Sequence, residues 1–478
     1  MTEHPSPSSP GPQSHNEGIA VLTGDPKRAI VKISGPIMVA MFFQAIYNLA
    51  DAVWVAGLGA DALAAVGFIT PVFMIIIGLG VGLGAGVTSA VARRIGAGDK
   101  AGADSAAMHG IAVILFIAAL LTIALVLTIE PLVLVLGAGA TARYAVEYGG
   151  ILFGGLALIL FADIAYAIFA AEGSTRKTMY AMGASAILNM VLDPVLIYWA
   201  GMGIAGAAWA TLISVGVVCA VLLYWLFSRR DTYVTLGWKR FTPDLRTAAD
   251  IFSVGIPASL EFVLMSGSGI IINGILVRVA SSDAVAVYTG GWRIVFIALI
   301  PIIAISIAGV SVSGAAFGAG KYDKLRIAHS FAVRFGILIA CATSLAIWVS
   351  APYIAQIFSY SAESMHLAAG ITAFLMTICV SFPFAPPGMI STAVFEGTGR
   401  GLSALILEFL RNLVFIVVSV WMLAIYLELG ETGVWWGIVA GNILGGVCGY
   451  LWVKLYISRL QRYTARSRAG IKAGETNP

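Results

Sequence analysis

The chain has 478 residues, of which 59% are apolar and only 11% are charged. Soluble domains carry about 25% charged residues, so this composition excludes an ordinary soluble domain and predicts an all-α, polytopic membrane protein. The net charge of +4 does not indicate nucleic acid as a partner, because the basic residues lie at the ends of apolar runs. The four cysteines lie within apolar runs and form no C-x-x-C pair, which is typical of small packing residues.

Twelve apolar runs approach or exceed the ~20 residues that a helix needs to cross a bilayer. They lie roughly at 29–55, 62–88, 105–128, 143–171, 178–200, 204–227, 250–277, 284–313, 329–350, 367–395, 403–427 and 433–457. We therefore predict six helices in an N-lobe (29–227) and six in a C-lobe (250–457), joined by a cytoplasmic linker (228–249). The polar ends, 1–28 and 458–478, are predicted to be disordered.

Basic residues are concentrated in the loops on one side of the predicted helices. That side holds Arg93, Arg94, Lys100 and the basic linker, together with both tails, whereas Arg143 and Arg278 lie in loops on the other side. The positive-inside rule then places both termini in the cytoplasm and the chain in the cell (inner or plasma) membrane.

The two halves repeat each other at a nearly constant offset. Ile95-Gly96-Ala97-Gly98 recurs as Phe317-Gly318-Ala319-Gly320, and Glu172-Gly173 recurs as Glu396-Gly397. Because each half has an even number of helices, the two six-helix lobes are parallel repeats, a transporter design with the substrate path between the halves. No Lys-Ser/Thr follows either Gly-Ala-Gly segment, so the pattern of a nucleotide-binding P-loop, and with it an ATP-driven pump, is not indicated.

Asn189 and Asp193 lie four residues apart in the fifth apolar run, and Pro194 follows them. An aspartate at the centre of a membrane helix costs about 2.5–3.5 kcal/mol, so it faces an interior and usually binds something. An amide and a carboxylate on one helix face, beside a carbonyl freed by proline, supply the oxygen ligands for a proton or small cation. The alternative is a paired, structural aspartate beside a helix kink.

Further polar residues of the N-lobe point to the same interior. The first helix has Gln44, Asn48 and Asp51 on one face, the fourth has Asp163 and Tyr166, and the sixth has Thr211 with Ser214. For Asn48, Thr211 and Ser214, ordinary hydrogen bonding between helices is an equal alternative. The aromatic residues and methionines nearby, Tyr47 among them, are interpreted mainly as packing.

The C-lobe has fewer charged residues within its helices. Glu408 and Arg411 lie three apart and are predicted to pair with each other. Three interpretations stay open for Glu261: a second cation site, an acid facing the drug, or the partner of Arg293.

The chain resembles the multidrug and toxic compound extrusion (MATE) family, in its prokaryotic archaeal and DinF-like type, from about residue 29 to 456. The resemblance is carried by the first-helix segment from Asn48 to Gly59, the two Gly-Ala-Gly turns, Glu172-Gly173, the segment from Asn189 to Pro194, and the segment from Gly203 to Thr211.

This resemblance implies export by antiport with H⁺ or Na⁺ and no other cofactor. It implies that Asp51, Asn189, Asp193 and Thr211 bind the cation, whether H⁺ or Na⁺, and that Pro36 allows the first helix to bend. With Asn48, Tyr166 and Glu261 added from the residues themselves, the predicted substrate-binding set is Gln44, Asn48, Tyr148, Asp163, Tyr166 and Glu261. Asp163 departs from the uncharged residue expected in the family, and Glu261 resembles an acid of the NorM-like branch without its companion acids.

We therefore expect a monomeric secondary transporter, surrounded by membrane lipids, that exports amphiphilic and mostly cationic drugs. One alternative is a flippase for a lipid-linked sugar, although such proteins tend to have basic central cavities and the polar residues here are acidic. An intramembrane enzyme is a third hypothesis, but His109 and His329 lie near helix ends and no H-E-x-x-H motif occurs. The chain is therefore not expected to be an enzyme.

Overall fold

The computed structural model describes residues 17–228, 232–237, 241–358 and 365–475, and this part of the chain is α-helical without a β-strand. The N-lobe helices are α2 (Pro26–Ala56), α3 (Ala60–Gly96), α4 (Lys100–Val135), α5 (Ala142–Gly154), α6 (Leu156–Ala171), α7 (Thr175–Pro194) and α8 (Ile204–Leu223), after a short α1 (Glu17–Thr23). The C-lobe helices are α9 (Leu245–Val279), α10 (Ser282–Gly318), α11 (Tyr322–Phe358), α12 (Ala368–Ile378), α13 (Ala385–Gly397), α14 (Gly401–Phe409), α15 (Val417–Trp421) and α16 (Gly430–Glu475).

The prediction of twelve membrane-spanning helices is confirmed. Eleven helical segments of the described residues are long and apolar enough to cross a membrane, and α5 with α6 makes the twelfth. These two helices meet at an angle of 48° at Gly155, which packs against the side chain of Leu212. The sequence predicted one uninterrupted run here, since the break depends on this close contact with α8 and involves no proline.

Both predicted tails contain helix. Residues 1–16 lie outside the described part, but Glu17–Thr23 form α1, whose Leu22 is buried. At the other end α16 continues to Glu475; residues 458–469 contain neither proline nor glycine, and the helix includes Gly470 and Gly474 beyond them. The tails therefore differ from the disordered segments expected from their polar composition.

The linker is attached to the N-lobe through two acids and a histidine that accept hydrogen bonds from its backbone. The backbone amide of Val234 donates to Glu172 Oε1 over 2.6 Å, and that of Thr235 donates to Asp104 Oδ1 over 2.8 Å. The backbone amide of Asp244 donates to His109 Nε2 over 2.8 Å. The segment that sequence composition marked only as polar is thus held against the ends of α4 and α6.

Replacing Glu172 with glutamine is expected to raise thermal stability near and above pH 7. Burial raises the pKa of the Glu172 carboxyl from 4.5 to about 7, and Oε2 has no hydrogen-bond partner in the described structure. Below pH 4.5 the carboxyl is protonated whether the chain is folded or not, and as pH rises through about 7 only the folded protein must bury a charge. Glu172→Gln, which stays neutral, should therefore gain melting temperature over wild type as pH rises.

A thermal-shift pH series in detergent checks this prediction, with the exposed Glu130→Gln as the matched control. Parallel pH profiles for wild type and Glu172→Gln would contradict it.

The two lobes meet from mid-depth to the basic end of the helices. Ser259 Oγ of α9 donates to the carbonyl of Leu79 in α3, and Ser89 Oγ of α3 donates to the carbonyl of Glu396 in α13. At the basic end, Arg93 and Arg94 each donate to Asp250 over 2.9 Å. The polar contacts between lobes within the described residues all lie in this half of the molecule.

The repeated Gly-Ala-Gly segments have a common structural basis. Gly98 and Gly320 have φ values of 75° and 64°, a conformation that favours glycine at the end of a helix. Gly96 and Gly318 pack reciprocally across the lobes: a Cβ on Gly96 would overlap the carbonyl of Ala315, and one on Gly318 would overlap the carbonyl of Arg93. The second glycine of each segment therefore forms the turn, and the first allows the lobes to touch.

Candidate functional site

The end of α7 positions two of the predicted cation-binding residues. Asn189 and Asp193 are one helical turn apart, with only 2% and 0% of their surface exposed. After Pro194 the helix continues as a π-helical turn, Val195–Trp199, a form that often marks functional sites. Tyr198 Oη of this turn donates to the carbonyl of Trp54 over 2.6 Å, which fixes the end of α7 against α2.

Thr211 on α8 faces the same point. Asn189 Nδ2 donates to Thr211 Oγ1 over 3.4 Å, and Thr211 Oγ1 donates to the carbonyl of Ala207 over 3.2 Å. Ser214 Oγ donates to the carbonyl of Thr211 within the same helix, so its hydrogen bond is local and does not join helices. The Asn189 amide and the Thr211 hydroxyl are thereby oriented toward each other between α7 and α8.

Asp51 completes the group from α2. Its Oδ1 atom is buried and has no hydrogen-bond partner in the described structure. Its carboxylate is close enough to that of Asp193 for the two charges to interact. The structure thus brings together all four residues predicted to bind the cation, including the two aspartates from different helices.

Tyr47 connects this group to the predicted substrate residues. It lies close to the Gln44 side chain and within electrostatic range of Asp51, Asp193 and Asp163. Sequence reasoning missed this role because Tyr47 was interpreted as packing. Its position one turn before Asp51 was the available signal, since residues four apart share a helix face.

Tyr148 and Tyr166 line the same region. Tyr148 on α5 is mostly buried and lies close to Asp51, Asp193 and Tyr47. Tyr166 on α6 lies close to Asp163 and Tyr47. Both tyrosines therefore lie near Tyr47, with Tyr148 beside Asp51 and Asp193 and Tyr166 beside Asp163.

Asp163 lies against a glycine of α3. Its Oδ2 atom is buried without a hydrogen-bond partner in the described residues, and a Cβ on Gly80 would come within 2.7 Å of it. Gly80 therefore leaves the space that this carboxylate occupies. A third acid thus stands in the same lobe as Asp51 and Asp193.

The remaining predicted residues of α2 are less closely associated with this group. Asn48 and Gln44 are exposed, and Gln44 lies close to Tyr47. Pro36 lies within an unbroken α2, beside Gly35, whose Cα has open space around it. These features are compatible with bending of the helix, and the hinge role of Pro36 stays a prediction.

Glu261 belongs to a different cluster, in the C-lobe. Its Oε1 atom is buried without a hydrogen-bond partner in the described structure, and the charges that act on it are those of Glu396, Glu408 and Arg411, and not that of Arg293. Glu408 pairs with Arg411 over 2.6 Å, as predicted, and accepts hydrogen bonds from Thr392 and Asn412. Glu261 is therefore separated from the predicted substrate residues of the N-lobe.

The N-lobe site suits a small hard cation better than a transition metal. It combines two carboxylates, an amide and a hydroxyl, all oxygen donors of the kind that protons and Na⁺ require. In the described part of the chain, no three His, Cys, Asp or Glu side chains form a metal-binding group.

Comparison with known proteins shows the family of this fold. The MatE family model matches residues 36–195 and 257–421, one segment in each lobe, beginning at the equivalent prolines Pro36 and Pro257. The chain belongs to the MatE family. MatE proteins are membrane transporters, so the chain is a multi-pass membrane transporter, as the sequence predicted.

Among its relatives, the multidrug export protein MepA of Staphylococcus aureus is 26% identical over 436 residues, covering 91% of this chain and 94% of MepA. Two solved structures are similar over 93% of this chain and 99% of their own, each at 40% identity with a TM-score of 0.90. One is a MOP-superfamily transporter from Pyrococcus furiosus, described as having a binding pocket of reversed polarity that suggests a different function. The other is an outward-facing multidrug resistance MATE transporter.

Proposed function

We propose that this MatE-family chain is a secondary active multidrug exporter driven by H⁺ or Na⁺ antiport. The observation that carries the proposal is the convergence of Asp51 and Asp193 with the Asn189–Thr211 pair inside one lobe. The similarity to MepA, a multidrug export protein, supports drug efflux as the direction of transport.

The buried acids of the N-lobe are proposed to bind the coupling ion. A proton on either aspartate, or Na⁺ among the carboxylate, amide and hydroxyl oxygens, removes uncompensated negative charge from the lobe interior. If the inward-open and outward-open arrangements bury these groups to different extents, binding of the ion changes the free-energy difference between the two arrangements. An ion shifts such an equilibrium only by the difference in its affinity for the two states.

Amphiphilic, mostly cationic drugs fit the groups next to the ion site. Tyr47, Tyr148 and Tyr166 provide aromatic faces that attract organic cations, and Asp163 provides a negative charge. Because Tyr47 lies near both Asp163 and the ion-binding aspartates, ion loading and drug binding would act on the same side chains. Glu261 would contact a bound drug only from the C-lobe, apart from the N-lobe residues.

Alternating access of the two lobes would move the drug. The lobes are joined at the basic end, and similarity to an outward-facing transporter supports this arrangement as the outward-facing state. Transport then requires the reverse arrangement, with the basic end apart. One chain contains both lobes, so a monomer suffices.

The basic end of the helices is proposed to be cytoplasmic. The structure gathers basic residues from the tails and from several loops at one end, including Lys27, Arg94 and Lys324. This agrees with the positive-inside rule and supports insertion in the plasma membrane with both termini inside.

A flippase of an amphiphilic, lipid-linked metabolite is the second candidate. It is favoured by the similarity to the Pyrococcus furiosus transporter for which a different function is suggested. The acids of the N-lobe cavity argue against it, since they would repel the phosphate of such a lipid.

Efflux from proteoliposomes tests the antiport. Ethidium or norfloxacin would be loaded inside, and a pure pH gradient and a pure Na⁺ gradient applied in separate experiments. We expect one of the two gradients to accelerate efflux above the rate without a gradient. Equal rates under all three conditions would overturn the proposal, and gradient-dependent movement of a fluorescent lipid in place of the drug would favour the flippase.

A further inference from the structure

A basic groove lies outside the candidate site, where the first helix of the N-lobe meets α11 of the C-lobe. It has a volume of about 220 Å³ and is lined by Lys27, Arg326, Ile327, Ser330, Phe331 and Arg334. Three of these six residues are cationic and none is acidic. Ion transport as proposed above uses none of them.

The three cations have no carboxylate partner within the described residues. The two acids nearest in sequence are engaged elsewhere: Asp25 caps α2 by accepting from the backbone amide of Lys27, and Asp323 accepts from Gln461 over 2.7 Å. The ammonium of Lys324 binds the carbonyls of Thr23 and Gly24, both over 2.7 Å. The groove is therefore a site of uncompensated positive charge beside a tightly held turn.

The groove is expected to extend into the membrane-facing surface, because Arg334 lies within the apolar run 329–350. Arg326, Ser330 and Arg334 are spaced four apart, so they share one face of α11 over about 12 Å of helix. Arg334 lies about three turns inside this helix and its side chain is exposed. An exposed guanidinium at such a depth is costly unless it reaches the headgroup region or a buried anion.

We propose that this groove binds the phosphate of an anionic phospholipid from the leaflet at the basic end. Guanidinium groups bind phosphate oxygens through paired, charge-assisted hydrogen bonds, and basic pockets between membrane helices hold such headgroups. Ile327 and Phe331, between the two arginines, provide an apolar surface for the acyl chains. The apolar side chains of Ile327 and Phe331 beside the arginines, and the position of Arg334 within a predicted membrane span, favour a lipid over free phosphate.

A lipid held here bridges the lobes. Lys27 lies in the first turn of α2 in the N-lobe, whereas Arg326 and Arg334 belong to α11 in the C-lobe. A phosphate bound to both sides stabilises the arrangement in which the lobes meet at the basic end. This inference concerns binding and stability, so it holds or fails independently of the antiport proposal.

The test compares lipid-dependent stabilisation of the purified full chain in detergent. Phosphatidylglycerol is expected to raise the melting temperature of the wild type more than the same amount of phosphatidylcholine. In Lys27→Gln/Arg326→Gln/Arg334→Gln the extra rise should vanish. A control with equal loss of charge, Arg28→Gln/Arg246→Gln/Lys321→Gln, alters exposed cations outside the groove and should keep the rise.

Native mass spectrometry of Arg334→Gln alone gives a second readout that does not depend on the triple variant folding. It should retain fewer phosphatidylglycerol adducts than Arg28→Gln. Equal adduct retention by these two, or equal stabilisation of the two triple variants, would overturn the site. Equal stabilisation of the wild type by inorganic phosphate would overturn its assignment to a lipid.

Discussion

Replacing Asp193 with asparagine is expected to abolish gradient-driven drug efflux while leaving a folded protein. The side chain is fully buried, and its charge interacts with that of Asp51 in the same lobe. Asparagine has nearly the same shape but neither takes up a proton nor contributes a negative charge to a Na⁺ site. The variant should therefore fall to the efflux rate of liposomes without a gradient.

The stability of Asp193→Asn distinguishes an ion-binding role of Asp193 from a purely structural one. A buried carboxylate that served mainly as the partner of a cation would leave an uncompensated charge when neutralised, and the protein would lose several kcal/mol. We expect no such loss, because the nearby charge that acts on Asp193 is another carboxylate. Asp61→Asn, at the exposed start of α3, is the control and should transport normally. Wild-type efflux by Asp193→Asn at equal expression would defeat the ion-coupling account.

Adding a side chain at Gly96 or Gly318 is also expected to stop transport, because it prevents the two lobes from touching at the basic end. Either Cβ would overlap a backbone carbonyl of the opposite lobe, and backbone cannot move aside as a flexible side chain can. Overpacking of this kind costs about 1–3 kcal/mol. If this cost destabilises only the state in which the lobes touch at the basic end, the ratio of the two states changes by roughly 5–150-fold. Gly96→Val and Gly318→Val should therefore favour lobes that are apart at the basic end.

Spin labels on exposed positions at the basic end, Ala101 in the N-lobe and Lys321 in the C-lobe, report this separation. Both valine variants should show a longer distance than wild type, together with strongly reduced efflux. Gly67→Val is the matched control, because a Cβ there has no atom within 4 Å. Unchanged distances in both variants would contradict the role assigned to the repeated Gly-Ala-Gly segments.

The helices and the acids of the site could be predicted from sequence because their signals are local. Apolar runs of spanning length mark membrane helices, and a carboxylate such as Asp193 is conspicuous within one. The spacing of Asn189 and Asp193 fixed their common face. Their meeting with Asp51 required the resemblance to a known family, since nothing in the local sequence specifies which helices are neighbours.

Other features depend on contacts between distant segments. The ion pairs of Arg93 and Arg94 with Asp250 join positions more than 150 residues apart, and the two arginines had been interpreted only as signals of orientation. The reciprocal packing of Gly96 and Gly318 is likewise visible only when the lobes are assembled. Tyr47 was missed because an aromatic residue in an apolar run has the same local signature whether it packs or lines a cavity.

The central claim is that loading the N-lobe site changes which end of the molecule is open. A distance measurement between labels at the end opposite the basic one, on exposed Leu136 in the N-lobe and Ser282 in the C-lobe, tests it most directly. In wild type the distance distribution should shift when pH is lowered or Na⁺ is added. In Asp193→Asn it should stay the same under all conditions. An equally large ion-dependent shift in Asp193→Asn, or no shift in wild type, would contradict the account.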